Sequence, residues 1–258
     1  MIKKEFFDTH AHIYVREFSN EFPEIISRAQ KAGVKKIVLP NIDLDSIEDM
    51  LSLSSFYPNI CYPSLGLHPS SVKENYKEVL EKISEYFSGR DIIAIGETGI
   101  DLYWDKTFEQ EQVEAFKIQL AWAKEKNLPI IIHCRKSFEL VFKIVQGFEG
   151  VRGVFHCFSG SMEEANKIIS LGTFKMGIGG VITYKNSGLP DVVEKIGIEH
   201  FVLETDAPYL PPEPYRGKRN ESSYIVKVAE KMAEVKKCSV EEIAYETRKN
   251  AEEIFSEN

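Results

Sequence analysis

Short apolar runs alternate with longer amphipathic segments along most of the chain. The runs Ile92-Ile93-Ala94-Ile95 and Ile130-Ile131-Ile132 are apolar at consecutive positions, which is typical of parallel strands covered on both faces. Between such runs, apolar residues recur at helical spacing, as at Phe116, Leu120 and Ala123. Eight strands are predicted in this way, at residues 2–7, 36–40, 60–67, 92–96, 129–133, 153–156, 173–178 and 200–205.

The amphipathic segments predict nine helices, and glycines such as Gly33 and Gly172 stand where helices commonly end. Eight strand–helix units in 258 residues indicate an α/β fold, a (β/α)8 TIM barrel with an extra C-terminal helix, in one domain spanning residues 1–258. An open doubly wound sheet is the alternative, but its glycine-rich loop after the first strand is missing. The predicted helices are residues 21–32, 44–56, 76–87, 108–126, 138–148, 161–171, 189–196, 224–235 and 240–255.

Composition and charge narrow the classes of protein. The net charge of −8 argues against a large basic surface for nucleic acid, although metal ions can supply positive charge locally. The four cysteines lie far apart without a C-x-x-C pair, which predicts reduced thiols in a cytoplasmic protein. Cys134 and Cys157 each follow a histidine at a strand end, so strand alternation predicts buried structural thiols facing the helices. No signal peptide or membrane-spanning run is expected.

Polar residues gather where the predicted strands end. His10 and His12 follow the first strand, and positions i and i+2 of an extended segment share a face. In a TIM barrel all of these strand ends open on one rim, where such enzymes place their chemistry. Of the six histidines, only His200, at the start of a strand, lies elsewhere. The residues at the strand ends are His10, His12, His68, His133 and His156, with the carboxylates Glu97 and Asp206.

A rim with four histidines and two carboxylates predicts a hydrolase site for two divalent metal ions. Glu97 is placed to bridge the two ions and, with Asp206, is a candidate catalytic residue. Two neighbouring cations lower the pKa of a shared water, and Asp206 can accept its proton. The ligand types allow Mg, Mn or Zn without deciding among them. The predicted ligands are His10, His12, Asp206 and Glu97 for one ion and His133, His156 and Glu97 for the other.

Several of these residues also have an ordinary structural interpretation. His133 could be a core histidine with its hydrogen bonds satisfied, and Glu97 or Asp206 could cap a helix or pair with Arg135. Glu204 shares a strand face with Asp206. It is therefore predicted to orient a metal ligand, with a plain helix-facing acid as the alternative.

The substrate contacts are expected on the same rim. His68 precedes Pro69 in an extended segment and is predicted to touch substrate. The guanidinium and ammonium groups near the strand ends suit phosphate oxygens, and exposed loop aromatics can stack on bases. Solvated charges and aromatic rings packed on helices are the alternatives. The predicted phosphate contacts are Arg135, Arg216 and Lys218, in a basic cluster with Arg219, and the candidate stacking residues are Tyr103, Trp104 and Tyr215.

Six segments in order resemble the TatD-type metal-dependent deoxyribonuclease family, within the amidohydrolase-like barrels. The resemblance implies a TIM barrel, two divalent cations and hydrolysis of phosphodiester bonds in DNA, with the six ligand positions named above. The chain departs from the common family loop at Tyr215 and Ser222, which puts details of substrate preference in question. The segments begin at Asp8, Gly66, Gly96, Ile132, His156 and Leu203, and read DTHAH, GLHP, GETGID, IHCR, HCFSG and LETDAPYL, the last followed by RGKRNE at residues 216–221.

The leading hypothesis is a deoxyribonuclease that trims single-stranded or frayed DNA from the 3′ end, as similar proteins do. A metal-dependent ester or amide hydrolase, such as an aminoacyl-tRNA deacylase, is the alternative, because the same chemistry serves carbonyl groups. A partner protein with a structural or vestigial metal site is a third interpretation. The expected partner is DNA or another phosphodiester and not a membrane; the sequence does not decide the oligomeric state, and a monomer is compatible with it.

Overall fold

The computed structural model describes residues 4–255, and eight parallel strands form one sheet in sequence order. Each strand pairs in parallel with the next one along the chain, with short segments and helices between them. The strands are β1 (Phe6–Asp8), β2 (Val34–Pro40), β3 (Cys61–Leu65), β4 (Ala94–Asp101), β5 (Ile130–Arg135), β6 (Gly153–Phe155), β7 (Phe174–Ile178) and β8 (Phe201–Leu203).

The helices form the outer layer, and two of them follow the last strand. The helices are α1 (Phe22–Lys31), α2 (Ile47–Phe56), α3 (Tyr76–Glu85), α4 (Glu109–Glu125), α5 (Phe138–Gln146), α6 (Met162–Ser170), α7 (Leu189–Lys195), α8 (Ile225–Lys236) and α9 (Val240–Phe255). Within the described part of the chain, no helix is both long and apolar enough to cross a membrane.

The first and last strands meet and nearly close the sheet into a barrel. The backbone N–H of Thr9 donates to the carbonyl oxygen of Leu203 at 3.1 Å. The fully buried carboxylate of Asp8 accepts the backbone N–H of Thr205 at 2.9 Å and its hydroxyl at 2.7 Å. The predicted TIM barrel with an extra C-terminal helix is therefore confirmed.

The barrel interior is apolar at its lower end, where α9 covers it. The ring of Phe255, at the end of α9, lies 5.6 Å from the ring of Phe7 in β1. Because side chains alternate along a strand, residues two positions further on share the interior face, and these include His133 and His156. These histidine side chains thus lie one layer of residues above a packed apolar layer, which forms the floor of the barrel. The floor comprises Phe7, Val38, Ala94, Ile131, Val154 and Val202, with Ala251, Ile254 and Phe255 from α9.

The largest difference from the predicted elements is in β4. The strand begins at Ala94 and continues to Asp101, five residues beyond the predicted end, with an irregular register between Ile95 and Thr98. A Cβ on Gly99 would lie 1.9 Å from the carbonyl oxygen of His133, so glycine lets β5 approach closely here. The other strands differ from the predictions by a few residues at their ends, and positions 2 and 3 of the first predicted strand lie outside the described residues.

Candidate metal centre

The first donor cluster lies where β1 meets β8. The Nε2 atoms of His10 and His12 are 3.0 Å apart. Oε2 of Glu97 lies 3.1 Å from His10 Nε2 and 3.3 Å from His12 Nε2. Oδ1 of Asp206 lies 3.6 Å and 3.8 Å from the same two nitrogens. All four side chains are buried, so this set of two imidazoles and two carboxylates faces one small space inside the rim.

The second donor cluster uses the other oxygen of the same glutamate. Oε1 of Glu97 lies 2.9 Å from His133 Nδ1 and 2.7 Å from His156 Nε2. Those two nitrogens are 3.3 Å apart, at the ends of β5 and β6. His68 Nε2 also lies 3.3 Å from Glu97 Oε1. The structure therefore brings together all six residues predicted as ligands, with Glu97 between the two clusters.

The spacing and the hydrogen bonds of the imidazoles fit a cation in each cluster. Donor atoms bound to one ion at about 2.1 Å lie roughly 3.0–3.4 Å apart. His12 Nδ1 lies 3.0 Å from the carbonyl oxygen of Pro40, so it carries the proton and leaves a lone pair on Nε2. His133 Nε2 faces Oδ2 of Asp101 at 2.9 Å, so its Nδ1 lone pair points at Glu97. A nitrogen lone pair and a carboxylate oxygen that face each other repel, and a cation between them would replace this repulsion with two attractions.

His68 differs from these histidines in its hydrogen bonding. Its Nδ1 accepts the backbone N–H of Ser70 at 3.1 Å, and the hydroxyl of Ser70 is 2.6 Å from the same nitrogen. An imidazole nitrogen that accepts an N–H bond carries no proton, so in the neutral ring the proton is on Nε2. The nitrogen that faces the centre is therefore a hydrogen-bond donor, whereas a metal ligand needs a lone pair there.

Burial and mutual attraction set the protonation of the cluster. Burial lowers the pKa of His10 well below its usual value, and repulsion by His156 adds to this shift. Burial alone would raise the pKa of Glu97, but its histidine neighbours, first His156 and His68, hold it well below the usual range. Burial raises the pKa of Asp206 to about 7. Burial opposes a proton on His156, but the attraction of Glu97 raises the pKa of this imidazole well above its usual value. Beside the ionised Glu97, a proton on His156 therefore takes the place that a cation would take, and metal binding would release it.

Two acidic residues lie behind the histidines of the second cluster. Oδ2 of Asp101 faces His133, and Oδ1 of the same carboxylate accepts the backbone N–H of Tyr103 at 2.9 Å. Glu204 is fully buried; its Oε1 accepts the backbone N–H of Cys157 at 2.6 Å and lies 3.6 Å from His156 Nδ1. Asp101 was given no role from the sequence, although its even spacing from Glu97 on one strand places both on one face.

The cationic side chains on the rim fall into two groups. Arg135, Arg216 and Lys218 are exposed, and within residues 4–255 none has a carboxylate within 4.0 Å. The guanidinium of Arg216 lies 4.1 Å from the centre of the Tyr184 ring. Arg219 instead turns toward α1, where its Nη2 contacts Oε2 of Glu21 at 2.8 Å. The basic cluster expected at residues 216–219 is therefore split, and Arg219 belongs to the structural contacts.

The aromatic residues of the rim are likewise divided. Tyr103 and Trp104 are exposed beside β4. The ring of Tyr215 is half-buried and stacks on Tyr224 with centroids 3.8 Å apart. This contact closes one face of Tyr215, which corrects its expected place among the open stacking residues. The stack anchors the loop between β8 and α8, because Tyr224 directly precedes α8.

Two buried side chains of the same loop are structural anchors, one for the segment that carries Asp206 and one for α1. The amide Nδ2 of Asn220 donates to the carbonyl oxygens of Thr205 and Tyr209, each at 2.7 Å. The carboxylate of Glu221 accepts hydrogen bonds from two nitrogens of Arg28 in α1, with the shorter contact at 2.6 Å. The conspicuous RGKRNE segment thus contains structural anchors as well as exposed cations, a division that the sequence analysis missed.

The two cysteines beside the centre have different surroundings. Cys134 packs against the core on the helix side, as predicted, with its Sγ 3.7 Å from the Ser137 hydroxyl, but it is half-buried and not fully buried. Cys157 lies beyond the end of β6 with a φ of 49°. It is half-buried and lines the cleft beside Arg135, not the buried, helix-facing position that alternation predicts. Burial, reinforced by Asp206, raises the pKa of its thiol well above the usual value, so this thiol stays protonated.

Comparisons with known proteins show the family to which the chain is similar. A family model described as TatD related DNase matches residues 7–256. YabD of Bacillus subtilis, named an uncharacterized metal-dependent hydrolase, is 41% identical over 98% of this chain and 99% of its own length. TatD of Pantoea ananatis, named a 3′-5′ ssDNA/RNA exonuclease, is 29% identical over 96% of this chain and 98% of its own length.

A solved structure shows the same architecture. The crystal structure of YjjV, a TatD homologue from Escherichia coli, matches with a TM-score of 0.92 at 32% identity and covers 100% of both chains. The strands that carry the donor clusters in this chain lie within the matched region. Because the family model and the relatives match over nearly the full length, this chain belongs to the TatD-related DNase family and is a metal-dependent hydrolase.

Proposed function

We propose that the chain hydrolyses phosphodiester bonds in single-stranded nucleic acid with two divalent cations, Mg, Mn or Zn. The observation that carries the proposal is the position of Glu97, whose two carboxylate oxygens face separate donor clusters. Paired cations a few ångströms apart suit phosphodiester cleavage, since they can stabilise both the attacking and the leaving oxygen of a displacement.

The residues divide into two sets of ligands with one shared member. His10, His12 and Asp206 would hold one cation, and His133 and His156 would hold the other, with Glu97 contributing to both. Such ions supply a more acidic water and positive charge for the phosphate. Asp206 is the proposed proton acceptor, because its buried carboxylate lies at the edge of the first cluster, 3.6 Å from the nearest histidine nitrogen.

His68 is proposed to contact substrate rather than metal. Its Nε2–H points toward the second cluster, since Ser70 occupies Nδ1 as a donor. A neutral imidazole N–H placed there can donate to a non-bridging phosphate oxygen. Glu204, behind His156, is proposed to orient that ring through its carboxylate, which the N–H of Cys157 holds in place.

We propose that three exposed, positively charged side chains on the rim bind the phosphate groups of the substrate. Arg135 follows His133 by two residues on β5, and the guanidinium of Arg216 lies over the ring of Tyr184. Lys218 lies in the same loop as Arg216. The net charge of −8 is more compatible with contacts to a few phosphates near the site than with contacts to many phosphates along a duplex. The 3′ polarity and the choice of single strands rest on the names of relatives such as the Pantoea ananatis exonuclease.

Removing charge at Arg216 and Lys218 should weaken phosphodiester cleavage selectively. We expect Arg216→Gln with Lys218→Gln to lower kcat/KM on an oligonucleotide by about 100- to 10,000-fold, since two charge-assisted contacts of roughly 1.5–3 kcal/mol each are removed. Hydrolysis of a small uncharged ester, if detectable, should be unchanged. Arg219→Gln is the matched control, because this arginine pairs with Glu21 and should alter melting temperature more than turnover.

Digestion of end-labelled single-stranded DNA tests the proposed function directly. The pure protein is incubated with Mg²⁺ or Mn²⁺, and in parallel with a chelator. A ladder that grows from the 3′ end and disappears with chelator is the expected result. Cleavage of an aminoacyl ester without any cleavage of DNA or RNA, under every metal tried, would instead assign the centre to carbonyl substrates.

A further inference from the structure

Two large aromatic side chains stand open to solvent beside the second donor cluster. Tyr103 is 51% exposed and Trp104 is 72% exposed, and their rings meet edge to face with centroids 4.8 Å apart. In the described part of the chain, the exposed large apolar residues gather on this rim more than elsewhere. They are Tyr103, Trp104, Tyr209 and Leu210 on the rim and Phe56 and Tyr245 on helices.

A single carboxylate fixes the aromatic pair to the metal centre. Oδ2 of Asp101 contacts His133 Nε2 at 2.9 Å, and Oδ1 accepts the backbone N–H of Tyr103 at 2.9 Å. The pair therefore begins two residues from a group that touches a proposed ligand. A bound phosphodiester at the centre would place its neighbouring base or sugar within reach of these rings.

Arg135 lies against both rings and adds charge between them and the centre. Its guanidinium carbon is 4.0 Å from the centroid of Tyr103 and 5.2 Å from that of Trp104. No carboxylate within residues 4–255 approaches it to 4.0 Å, so its N–H groups are open to an anionic ligand. The cleft that runs from Tyr103 past Arg135 reaches His156. The guanidinium covers one face of the Tyr103 ring, and Trp104 is the more exposed of the two rings. An exposed aromatic ring next to an open guanidinium matches the two parts of a nucleotide, its base and its phosphate.

We propose that Tyr103 and Trp104 form a stacking subsite for one unpaired nucleobase next to the scissile phosphate, with Arg135 on the adjoining phosphate. This inference rests on the proposed function and adds to it the part of the substrate that is recognised. A base held in a stacked pair within a duplex has no free face for the rings. The subsite therefore accounts for a preference for single strands without any contact that reads the sequence.

The subsite predicts that Trp104→Ala acts only through a base. On a normal oligonucleotide, kcat/KM should fall by about 10- to 100-fold, the range that base–aromatic stacking supports. A second set of oligonucleotides carries a single abasic residue, placed in turn at each position near the cleaved bond. For one such position, wild type and Trp104→Ala should have equal kcat/KM, because the base that would stack on the ring is missing. Trp104→Phe should recover most of the rate, and Phe56→Ala, which removes an exposed ring on α2, should have no effect.

Fluorescence gives a readout that does not depend on turnover. The chain has two tryptophans, and Trp122→Phe leaves Trp104 as the only one. With chelator present to prevent cleavage, addition of oligothymidylate should quench this fluorescence, whereas an oligomer of abasic residues with the same phosphates should not. The two experiments separate the possible failures. Equal losses for Trp104→Ala on all substrates, with quenching by both oligomers or by neither, overturn the subsite and leave nuclease activity intact. Absence of cleavage by wild type overturns the proposed function instead. The subsite is then tested by fluorescence alone: quenching by oligothymidylate but not by the abasic oligomer supports it, and any other result overturns it.

Discussion

Glu97→Gln is expected to reduce hydrolysis by at least about a thousand-fold, because it removes negative charge shared by both proposed cations. Oε2 lies 3.1 Å from His10 Nε2, and Oε1 lies 2.7 Å from His156 Nε2. Glutamine keeps the shape of the side chain but replaces one oxygen with an NH2 group. Whichever cluster receives that group loses a ligand atom, and the other cluster loses a formal charge.

The fold should survive this substitution. Glu97 is 2% exposed, so an apolar replacement would leave the surrounding imidazoles without a polar partner. The glutamine amide can donate to an imidazole lone pair, as at His133 Nδ1, and so keeps the metal-free cluster hydrogen-bonded. We therefore expect a melting temperature, measured with chelator, close to that of the wild type. Loss of activity can then be assigned to the cations.

Metal content distinguishes a residue that binds a cation from one that only lies beside it. After dialysis against Mn²⁺, elemental analysis of Glu97→Gln should find fewer than two ions per chain, and calorimetric titration should show weaker binding. His68→Gln is the informative comparison, since His68 reaches the same oxygen at 3.3 Å but presents an N–H group. It should keep both ions and lose turnover. Two ions bound normally in Glu97→Gln would disprove the bridging role, and loss of an ion in His68→Gln would make His68 a ligand.

Sequence patterns were sufficient for the barrel and for bringing the six proposed donors to one rim, because both depend on strand ends. Parallel strands place all of their carboxyl ends on one rim, so the order of His10, Glu97, His133 and Asp206 along the chain was enough to bring them together. The prediction failed in β4, where Gly96 and Gly99 resemble a loop locally. In the barrel these glycines continue the strand, and the absence of a Cβ at Gly96 leaves room for Ile131, 2.8 Å from where that atom would be.

The remaining differences come from partners that are distant in sequence. Arg219 could not be distinguished from Arg216 by sequence, because its partner Glu21 lies almost two hundred residues earlier. Tyr215 is similar to Tyr103 as a loop aromatic, yet its face is covered by Tyr224. The direction of the His68 proton depends on a backbone N–H two residues away, a matter of geometry that spacing alone does not give.

Asp206→Asn should lower kcat by about a hundred- to ten-thousand-fold, the usual contribution of a positioned proton acceptor. Asparagine has nearly the same size, and it tolerates left-handed backbone, which matters because Asp206 has a φ of 56°. The buried segment after β8, which Asn220 holds at Thr205 and Tyr209, should therefore remain in place. The substitution removes the ability to accept a proton while keeping an oxygen atom toward the first cluster.

The cations should largely remain in this variant, which distinguishes it from Glu97→Gln. Asp206 Oδ1 is 3.6 Å and 3.8 Å from the two histidine nitrogens, while Glu97 Oε2 is 3.1 Å and 3.3 Å from them. The carboxylate of Asp206 is thus the more distant donor of the first cluster, and the other three donors are intact. Elemental analysis should find close to two ions per chain at saturating Mn²⁺, alongside slow cleavage of labelled DNA.

The matched control is Asp191→Asn, an exposed aspartate in the first turn of α7, which should leave both metal content and kcat unchanged. If Asp206→Asn loses the first cation and regains full activity at high metal concentration, Asp206 is a ligand only and another group accepts the proton. If kcat stays low at saturating metal, proton acceptance is its main contribution. The comparison is decisive because the two roles respond differently to metal concentration: a weakened ligand is compensated by mass action, whereas a missing base is not.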